Sequence, residues 1–216
     1  MIVSPSVLSM HYENFKEELD ALNENTDWIH FDVMDGHFVP NLTFGPDILQ
    51  AFRRNSNRFL DVHLMVDDPD YFSKVFADAG ADSIVFHYEA YHNIDRCVEL
   101  IDKIHSMYLK AGISIKPGTS VDEIKPLLDK VDIFLLMSVE PGYGGQKFMV
   151  EALDRVKQLK EYKEANNLNY IIEVDGGVND QNAHDLLSLG CDALVAGSFV
   201  FKGDIKTNIE KLRKCE

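Results

Sequence analysis

Residues 28–34 read WIHFDVM, and this run decides the fold. Side chains along a β-strand alternate between two faces. One face of this strand is apolar and consists of Ile29, Phe31 and Val33. The other face carries Trp28, His30, Asp32 and Met34. A buried strand of a parallel sheet is normally apolar throughout, so the mixed face indicates the interior of a closed barrel, with the apolar face packed against helices.

Two further segments carry the same pattern. Residues 59–65 read FLDVHLM and residues 170–175 read YIIEVD. Alternation points one set of side chains toward the barrel interior in each segment. These inward residues are Asp61, His63 and Met65 in the first segment, and Ile171, Glu173 and Asp175 in the second. The interior is therefore predicted to collect histidines and carboxylates.

Short apolar runs and longer amphipathic stretches alternate along the whole chain. The predicted strands are residues 2–7, 28–34, 59–65, 82–87, 112–116, 131–137, 170–175 and 192–197. The predicted helices are residues 11–24, 46–54, 69–79, 92–109, 121–129, 148–165, 180–188 and 204–214. Strict alternation implies parallel strands, and eight units in 216 residues predict an α/β fold, a single-domain (β/α)8 TIM barrel over residues 1–216.

Composition narrows the class of partner. The chain has 36 acidic and 21 basic residues and a net charge of −15, with no basic stripe. We therefore expect neither nucleic acid nor an anionic membrane as partner. Three scattered cysteines, Cys97, Cys191 and Cys215, argue against a disulfide framework. The sequence offers no signal peptide and no long apolar run, so a cytoplasmic location is expected.

Four inward residues are predicted to meet at the C-terminal mouth of the barrel. They are His30, Asp32, His63 and Asp175. Two imidazoles and two carboxylates form a suitable site for a divalent transition metal; the alternative is a buried polar network without an ion. Asp61 and Glu173 lie deeper and are interpreted as a supporting network with Lys116. His37, His87 and His92 show no such convergence and are interpreted as structural or solvated.

Glycine-rich loops follow the last three predicted strands. Their glycines and neighbours are Gly142, Tyr143, Gly144, Gly145, Gly176, Gly177, Gly197 and Ser198. Loops at this end of the barrel commonly bind phosphate, so we expect a phosphate clamp, with residues 142–146 flexible enough to act as a lid. Met34, Met65 and Met137 end strands on the inward face. They either fill gaps in the core or form an apolar collar above the reacting atoms.

The motifs together resemble the ribulose-phosphate 3-epimerase family along essentially the whole chain. The matching segments are SPSVLS, HFDVMDGHFVPNLTFGP, DVHLMV, KPGTS, MSVEPGYGGQKF, IEVDGGV and AGSFVF. The resemblance implies a barrel of the ribulose-phosphate-binding type and a metal-dependent epimerase that interconverts D-ribulose 5-phosphate and D-xylulose 5-phosphate. It also implies one divalent metal ion, zinc first and iron, manganese or cobalt as alternatives, and a homo-oligomer.

Carried over by position, the resemblance assigns roles to named residues. His30, Asp32, His63 and Asp175 resemble the metal ligands, and Asp32 and Asp175 the acid–base pair. Ser6 resembles a substrate contact, together with His63, the three methionines and the glycine loops. Inverting a carbon beside a ketone needs a base on each face, and two carboxylates supply them.

Two alternatives remain open at this point. The first is an epimerase for a six-carbon ketose, resembling allulose-6-phosphate 3-epimerase. Gly144 and Gly145 favour the five-carbon substrate. The second is a metal-free barrel that binds a sugar phosphate, and the metal content of the purified protein distinguishes it from an epimerase.

Overall fold

The computed structural model describes all 216 residues, and eight strands alternate with helices along the chain. The strands are β1 (Ile2–Ser4), β2 (Trp28–Met34), β3 (Phe59–Met65), β4 (Ser83–His87), β5 (Lys110–Ile115), β6 (Ile133–Met137), β7 (Ile171–Asp175) and β8 (Ala193–Val195). The helices are α1 (Phe15–Asn25), α2 (Pro46–Asn55), α3 (Pro69–Asp78), α4 (Ile94–Ser106), α5 (Val121–Ile124), α6 (Ala152–Ala165), α7 (Ala183–Ser188), α8 (Ser198–Phe201) and α9 (Ile205–Arg213). A helix long and apolar enough to cross a membrane is absent.

All eight strands form one parallel sheet in the order β1-β8-β7-β6-β5-β4-β3-β2. A parallel bridge between Ser6 and His30 brings the two ends of the sheet together. There the His30 N–H donates to the Pro5 carbonyl oxygen at 3.0 Å. The predicted (β/α)8 barrel is therefore confirmed.

The main core lies between the sheet and the helices, as the apolar face of residues 28–34 predicts. Ile29, Phe31 and Val33 are all buried there. The Phe31 ring meets Phe52 of α2 edge to face, with centroids 4.8 Å apart. Burying a side chain of this size contributes about 1.5–3 kcal/mol, so β2 is held with its polar face turned inward.

The two terminal strands are shorter than predicted. Residues 2–7 were expected in one strand, but β1 ends at Ser4 and a 3₁₀ turn occupies Val7–Ser9. Residues 192–197 likewise reduce to Ala193–Val195, because the chain enters the short helix α8 directly after Gly197. Both shortened segments lie at the C-terminal mouth, where the chain supplies loop residues instead of sheet.

Candidate active site and metal centre

A cleft opens at the C-terminal mouth of the barrel, the end where barrel enzymes place their active sites. The predicted substrate-facing residues line it, with the exception of His63, which is buried. These lining residues are Ser6, Asp32, Met34, Met65, Met137, Gly142, Tyr143, Gly144, Gly145, Asp175, Gly176, Gly177, Gly197 and Ser198. Loops from both halves of the chain therefore surround Asp32 and Asp175 in the cleft.

The four predicted ligand residues do converge. His30, Asp32, His63 and Asp175 each offer an atom within 4.8 Å of the others' atoms. Sheet register produces part of this, because Asp32 of β2 pairs with His63 of β3. Asp32 Oδ1 lies 3.3 Å from His30 Nε2 and 3.1 Å from His63 Nδ1. One carboxylate oxygen is thus flanked by two imidazole nitrogens.

The partner of His30 determines which of its nitrogens is free. His30 Nδ1 lies 2.7 Å from Asp61 Oδ2, and a carboxylate there accepts the Nδ1–H. His30 Nε2 is fully buried and has no hydrogen-bond partner. Burial opposes a charge on His30, but the carboxylates of Asp32 and Asp61 outweigh it and raise the pKa of His30 well above its usual value. The site attracts positive charge, whether a proton or a metal ion.

His87 contacts this cluster through His63, although no convergence was predicted for it; its complete burial agrees with the structural alternative given for it. It is completely buried at the end of β4, and its Nε2 lies 2.9 Å from His63 Nε2. Burial lowers the pKa of His63, and it lowers that of His87 to about 4. The signal was present in the sequence, because alternation along Ser83–His87 turns His87 inward with Ser83.

The two aspartates at the mouth have very different proton affinities. Burial raises the pKa of Asp175 to about 7, and the nearby Asp32 carboxylate adds to the effect. Burial acts in the same direction on Asp32, but the imidazoles of His30 and His63 outweigh it and hold the pKa of Asp32 far below its usual value. Near neutral pH the ion-free site therefore holds one carboxylate and one carboxyl group that exchanges its proton readily.

A second polar layer lies beneath the four predicted ligand residues. His30 of β2 pairs with Asp61 of β3, and Asp61 pairs with Ser83 of β4, whose hydroxyl donates to it. Both carboxyl oxygens of Glu173 are buried without a partner. Burial raises the pKa of Glu173 well above its usual value, helped by the charge of Asp61. The Glu173 carboxyl therefore takes up a proton more readily than an exposed glutamate does.

Lys116 does not join this layer, contrary to prediction. Its ammonium lies 4.0 Å from the centre of the Phe38 ring, and that ring lies 4.9 Å from the ring of His87. Lys116 thus helps to hold the segment after β2 over the barrel mouth. The deeper carboxyls are left without a nearby lysine.

Residues 35–41 form a loop after β2 that reaches the glycine loop after β6. Asp35 Oδ1 accepts the N–H groups of His37 and Phe38 at 2.8 and 2.9 Å, which closes a tight turn. The Asn41 amide then reaches across and donates to the Gly142 carbonyl oxygen at 2.9 Å. The segment after β2 and the glycine loop after β6 are therefore joined over the cleft.

The loop after β7 and the segment before α8 each contain a position that only glycine fits. Gly176 has a φ of +121°, and a Cβ there would lie 2.6 Å from a Val139 methyl group. A Cβ on Gly197 would lie 2.7 Å from the Ser9 hydroxyl oxygen. Ser9 and Val139 also line the cleft. Neither was predicted from sequence, because neither belongs to a motif with a recognisable chemical role. The 3₁₀ turn Val7–Ser9 places Ser9 at the cleft, and close packing against Gly176 places Val139 there.

Comparison with known proteins gives a consistent result. A family model described as the ribulose-phosphate 3 epimerase family matches residues 2–201. A Bacillus subtilis protein named ribulose-phosphate 3-epimerase is 42% identical over 214 residues, covering 98% of this chain and 97% of that protein. One from Helicobacter pylori with the same name is 41% identical, covering 99% and 97%.

Solved structures share the fold at much lower sequence identity. A 3-keto-L-gulonate-6-phosphate decarboxylase from Vibrio cholerae superposes with a TM-score of 0.76 at 15% identity, covering 99% of this chain and 96% of its own. That likeness concerns the barrel alone. The family model and the relatives at about 40% identity go further, and the chain belongs to the ribulose-phosphate 3-epimerase family.

Proposed function

We propose that this chain interconverts D-ribulose 5-phosphate and D-xylulose 5-phosphate by two-base proton transfer at C3, using Asp32 and Asp175. The observation that carries the proposal is the placement of these two carboxyls. They stand on β2 and β7, which β1 and β8 separate on one side of the barrel and four strands on the other. A sugar between them would present one face of C3 to each.

The proton balance of the reaction follows from this arrangement. One aspartate, ionised, removes the proton from C3 on its own face and leaves an enediolate. The other aspartate, protonated, gives its proton to C3 from the opposite face. The reverse reaction exchanges the two roles. In the ion-free protein the two carboxyls already differ in proton affinity, with the pKa of Asp32 lowered and that of Asp175 raised, as expected of an acid–base pair whose members sit in different environments.

The donor set fits a divalent metal ion. Because Asp61 accepts from His30 Nδ1, His30 Nε2 is the nitrogen left to face Asp32 Oδ1, at 3.3 Å. This nitrogen is buried without a hydrogen-bond partner, and a metal ion bound there, in place of the proton that the ion-free site attracts, would satisfy both the nitrogen and the carboxylate. We propose zinc held by His30, Asp32, His63 and Asp175, with iron, manganese or cobalt as alternatives. When bound, the ion supplies a Lewis acid that stabilises negative charge on the substrate oxygens.

The rest of the cleft suits a phosphorylated ketose. Ser6 donates to Asp32 Oδ2 and stands where it can also meet a sugar hydroxyl. Met34, Met65 and Met137 form the apolar wall of the cleft beside Asp32 and Asp175. The glycine loops, including Gly177 and Gly197, allow close backbone approach to a phosphate. The three cysteines are unpaired, and we propose a cytoplasmic enzyme.

The experiment combines metal analysis with substrate comparison on the purified protein. We expect about one metal ion per chain, loss of activity after chelation, and recovery with Zn2+. Protein that stays fully active with no detectable metal would refute the metal site. The ratio of kcat/KM for D-ribulose 5-phosphate and D-allulose 6-phosphate tests the substrate. A preference of about fivefold or more for the hexose would overturn the pentose assignment.

A further inference from the structure

Beyond the four ligand residues, the hydrogen-bond chain continues from His63 away from the cleft. His63 and His87 face each other through their Nε2 atoms at 2.9 Å, with ring centroids 5.0 Å apart. His87 Nδ1 then lies 3.1 Å from Glu89 Oε2. We call His63, His87 and Glu89 the histidine relay. It connects a proposed metal ligand to a carboxylate that is not one of the four proposed ligands.

Glu89, the residue of the relay farthest from the cleft, determines which nitrogen of each histidine carries a hydrogen. Glu89 Oε1 accepts the Lys116 backbone N–H at 2.7 Å and also the Thr119 hydroxyl. Burial opposes the charge on Glu89, yet its hydrogen bonds outweigh that and hold its pKa at about 2. Glu89 is therefore an ionised acceptor, and His87 Nδ1 must carry the hydrogen that it accepts.

The positions of the hydrogens on His87 and His63 follow from the number of N–H groups on an imidazole ring. A neutral imidazole has one N–H and one lone pair. With its hydrogen on Nδ1, His87 offers a lone pair at Nε2 and can only accept from His63. The His63 hydrogen then sits on Nε2, and its Nδ1 keeps a lone pair. That lone pair faces Asp32 Oδ1 at 3.1 Å, on the side where the ligand atoms converge.

We propose that His87 and Glu89 are positioning residues that fix His63 in its Nε2–H tautomer and so present the His63 Nδ1 lone pair to the metal ion. The inference rests on the metal site proposed above. Without the relay, a neutral His63 would place its hydrogen on Nδ1 and donate it to Asp32. The hydrogen would then occupy the direction in which a ligand atom must point at the ion.

The relay is shielded from solvent, so water cannot replace a missing partner. His63 and His87 are completely buried. The Phe38 ring lies against His87, and the Lys116 ammonium lies over that Phe38 ring. An unpaired nitrogen in this place would cost the full desolvation of a polar group. The tautomers of the two histidines are therefore coupled to each other and to Glu89.

The substitution Glu89→Gln should reverse the relay. The two donors at Oε1 require an acceptor, so the glutamine carbonyl oxygen occupies that position and the amide NH2 turns toward His87. His87 Nδ1 must then accept, its hydrogen moves to Nε2, and it donates to His63 Nε2. His63 is left with a hydrogen on Nδ1. One atom exchanged at Glu89 thus turns the hydrogen of a proposed ligand toward the ion.

The test measures tautomers and zinc affinity in the full-length protein. Long-range ¹H–¹⁵N spectra of histidine-labelled, metal-free wild-type protein should show His63 as the Nε2–H form and His87 as the Nδ1–H form. In Glu89→Gln both assignments should reverse. Competition with a chromophoric chelator should show zinc bound about ten- to hundredfold more weakly by the variant. Thr119→Val is the matched control, because it removes a hydrogen bond from the other oxygen of Glu89 and leaves His87 untouched.

The control should keep zinc affinity within about threefold of wild type even if its melting temperature falls. Glu89→Gln that folds and binds zinc as tightly as wild type would overturn the proposal. So would a wild-type spectrum with His63 in the Nδ1–H form, a result that needs no folded variant. If wild-type protein itself binds no zinc, the proposed metal site fails; if it binds zinc but the tautomers are as in Glu89→Gln, only the relay fails.

Discussion

The pH dependence of metal binding tests the electrostatics of the site most quantitatively. In the ion-free protein Asp175 has a pKa of about 7, and the pKa of His30 is raised well above its usual value. A metal ion must displace both protons to use these ligands. Apparent affinity should therefore be greatest above pH 8 and should fall as the pH drops through the raised pKa values.

The size of the effect follows from the Asp175 pKa. A group with a pKa of about 7 is about nine-tenths ionised at pH 8 and about one-hundredth ionised at pH 5. Asp175 alone should then lower the apparent affinity about ninetyfold over this range. The proton on His30 adds a further loss of the same sign. We therefore expect the apparent metal affinity to fall by roughly two orders of magnitude or more between pH 8 and pH 5.

Titration with Co2+, followed by its visible absorbance, measures this without precipitation of a hydroxide at pH 8. Asp175→Asn is the matched control, since the amide has no proton to displace. Its affinity should be lower at pH 8 but should fall less steeply toward pH 5, with only the His30 contribution left. Wild-type affinity that stays within about threefold over the whole range, or an Asp175→Asn variant with an unchanged slope, would refute the reasoning.

Three further changes have defined outcomes. Gly197→Asp should raise KM for the sugar phosphate at least about tenfold at normal metal content, and an unchanged KM in steady-state assays would remove the phosphate from that loop. Glu173→Met removes an unpartnered buried carboxyl and should raise the free energy of unfolding by about 1–2 kcal/mol in urea; a decrease would mean that the carboxyl has a stabilising partner. Gly177→Ala puts a Cβ 2.5 Å from the Phe148 nitrogen at a φ of +65°. It should lower the free energy of unfolding by about 1–3 kcal/mol. Gly145→Ala, at a φ of +72° with open space around it, should cost less in the same calorimetric scan, and equal losses would contradict the steric argument.

The barrel could be predicted from sequence because its strands carry an unusual pattern. Eight regularly alternating strand and helix patterns indicate a barrel of parallel strands, and in such a barrel the alternation of polar and apolar residues in β2, β3 and β7 gives an inner polar face and an outer apolar face. The convergence of the four proposed ligand residues followed from the same alternation, since register then fixes which side chains are neighbours. His30, for example, pairs across the sheet with Asp61.

Other features depended on geometry that alternation does not describe. The position of Ser9 follows from a 3₁₀ turn after β1, which no strong local signal marks. Lys116 was expected beside the deeper carboxyls, but its long flexible side chain lies over Phe38 instead. His87 could have been found, since it follows the inward positions of β4. It was missed because β4 carries no other charged residue to draw attention to its inner face.

The central claim is that Asp32 and Asp175 each move a proton on one face of C3, and isotope exchange in D2O tests it most directly. Metal-replete Asp175→Asn should lose net epimerisation by several orders of magnitude, roughly, while Asp32 still exchanges the C3 proton of one epimer. Asp32→Asn should exchange the other epimer. Metal content is measured and restored before either rate is compared. Deuterium confined to opposite epimers in the two variants is the predicted result, and equal exchange of both epimers by each variant would contradict the two-base account.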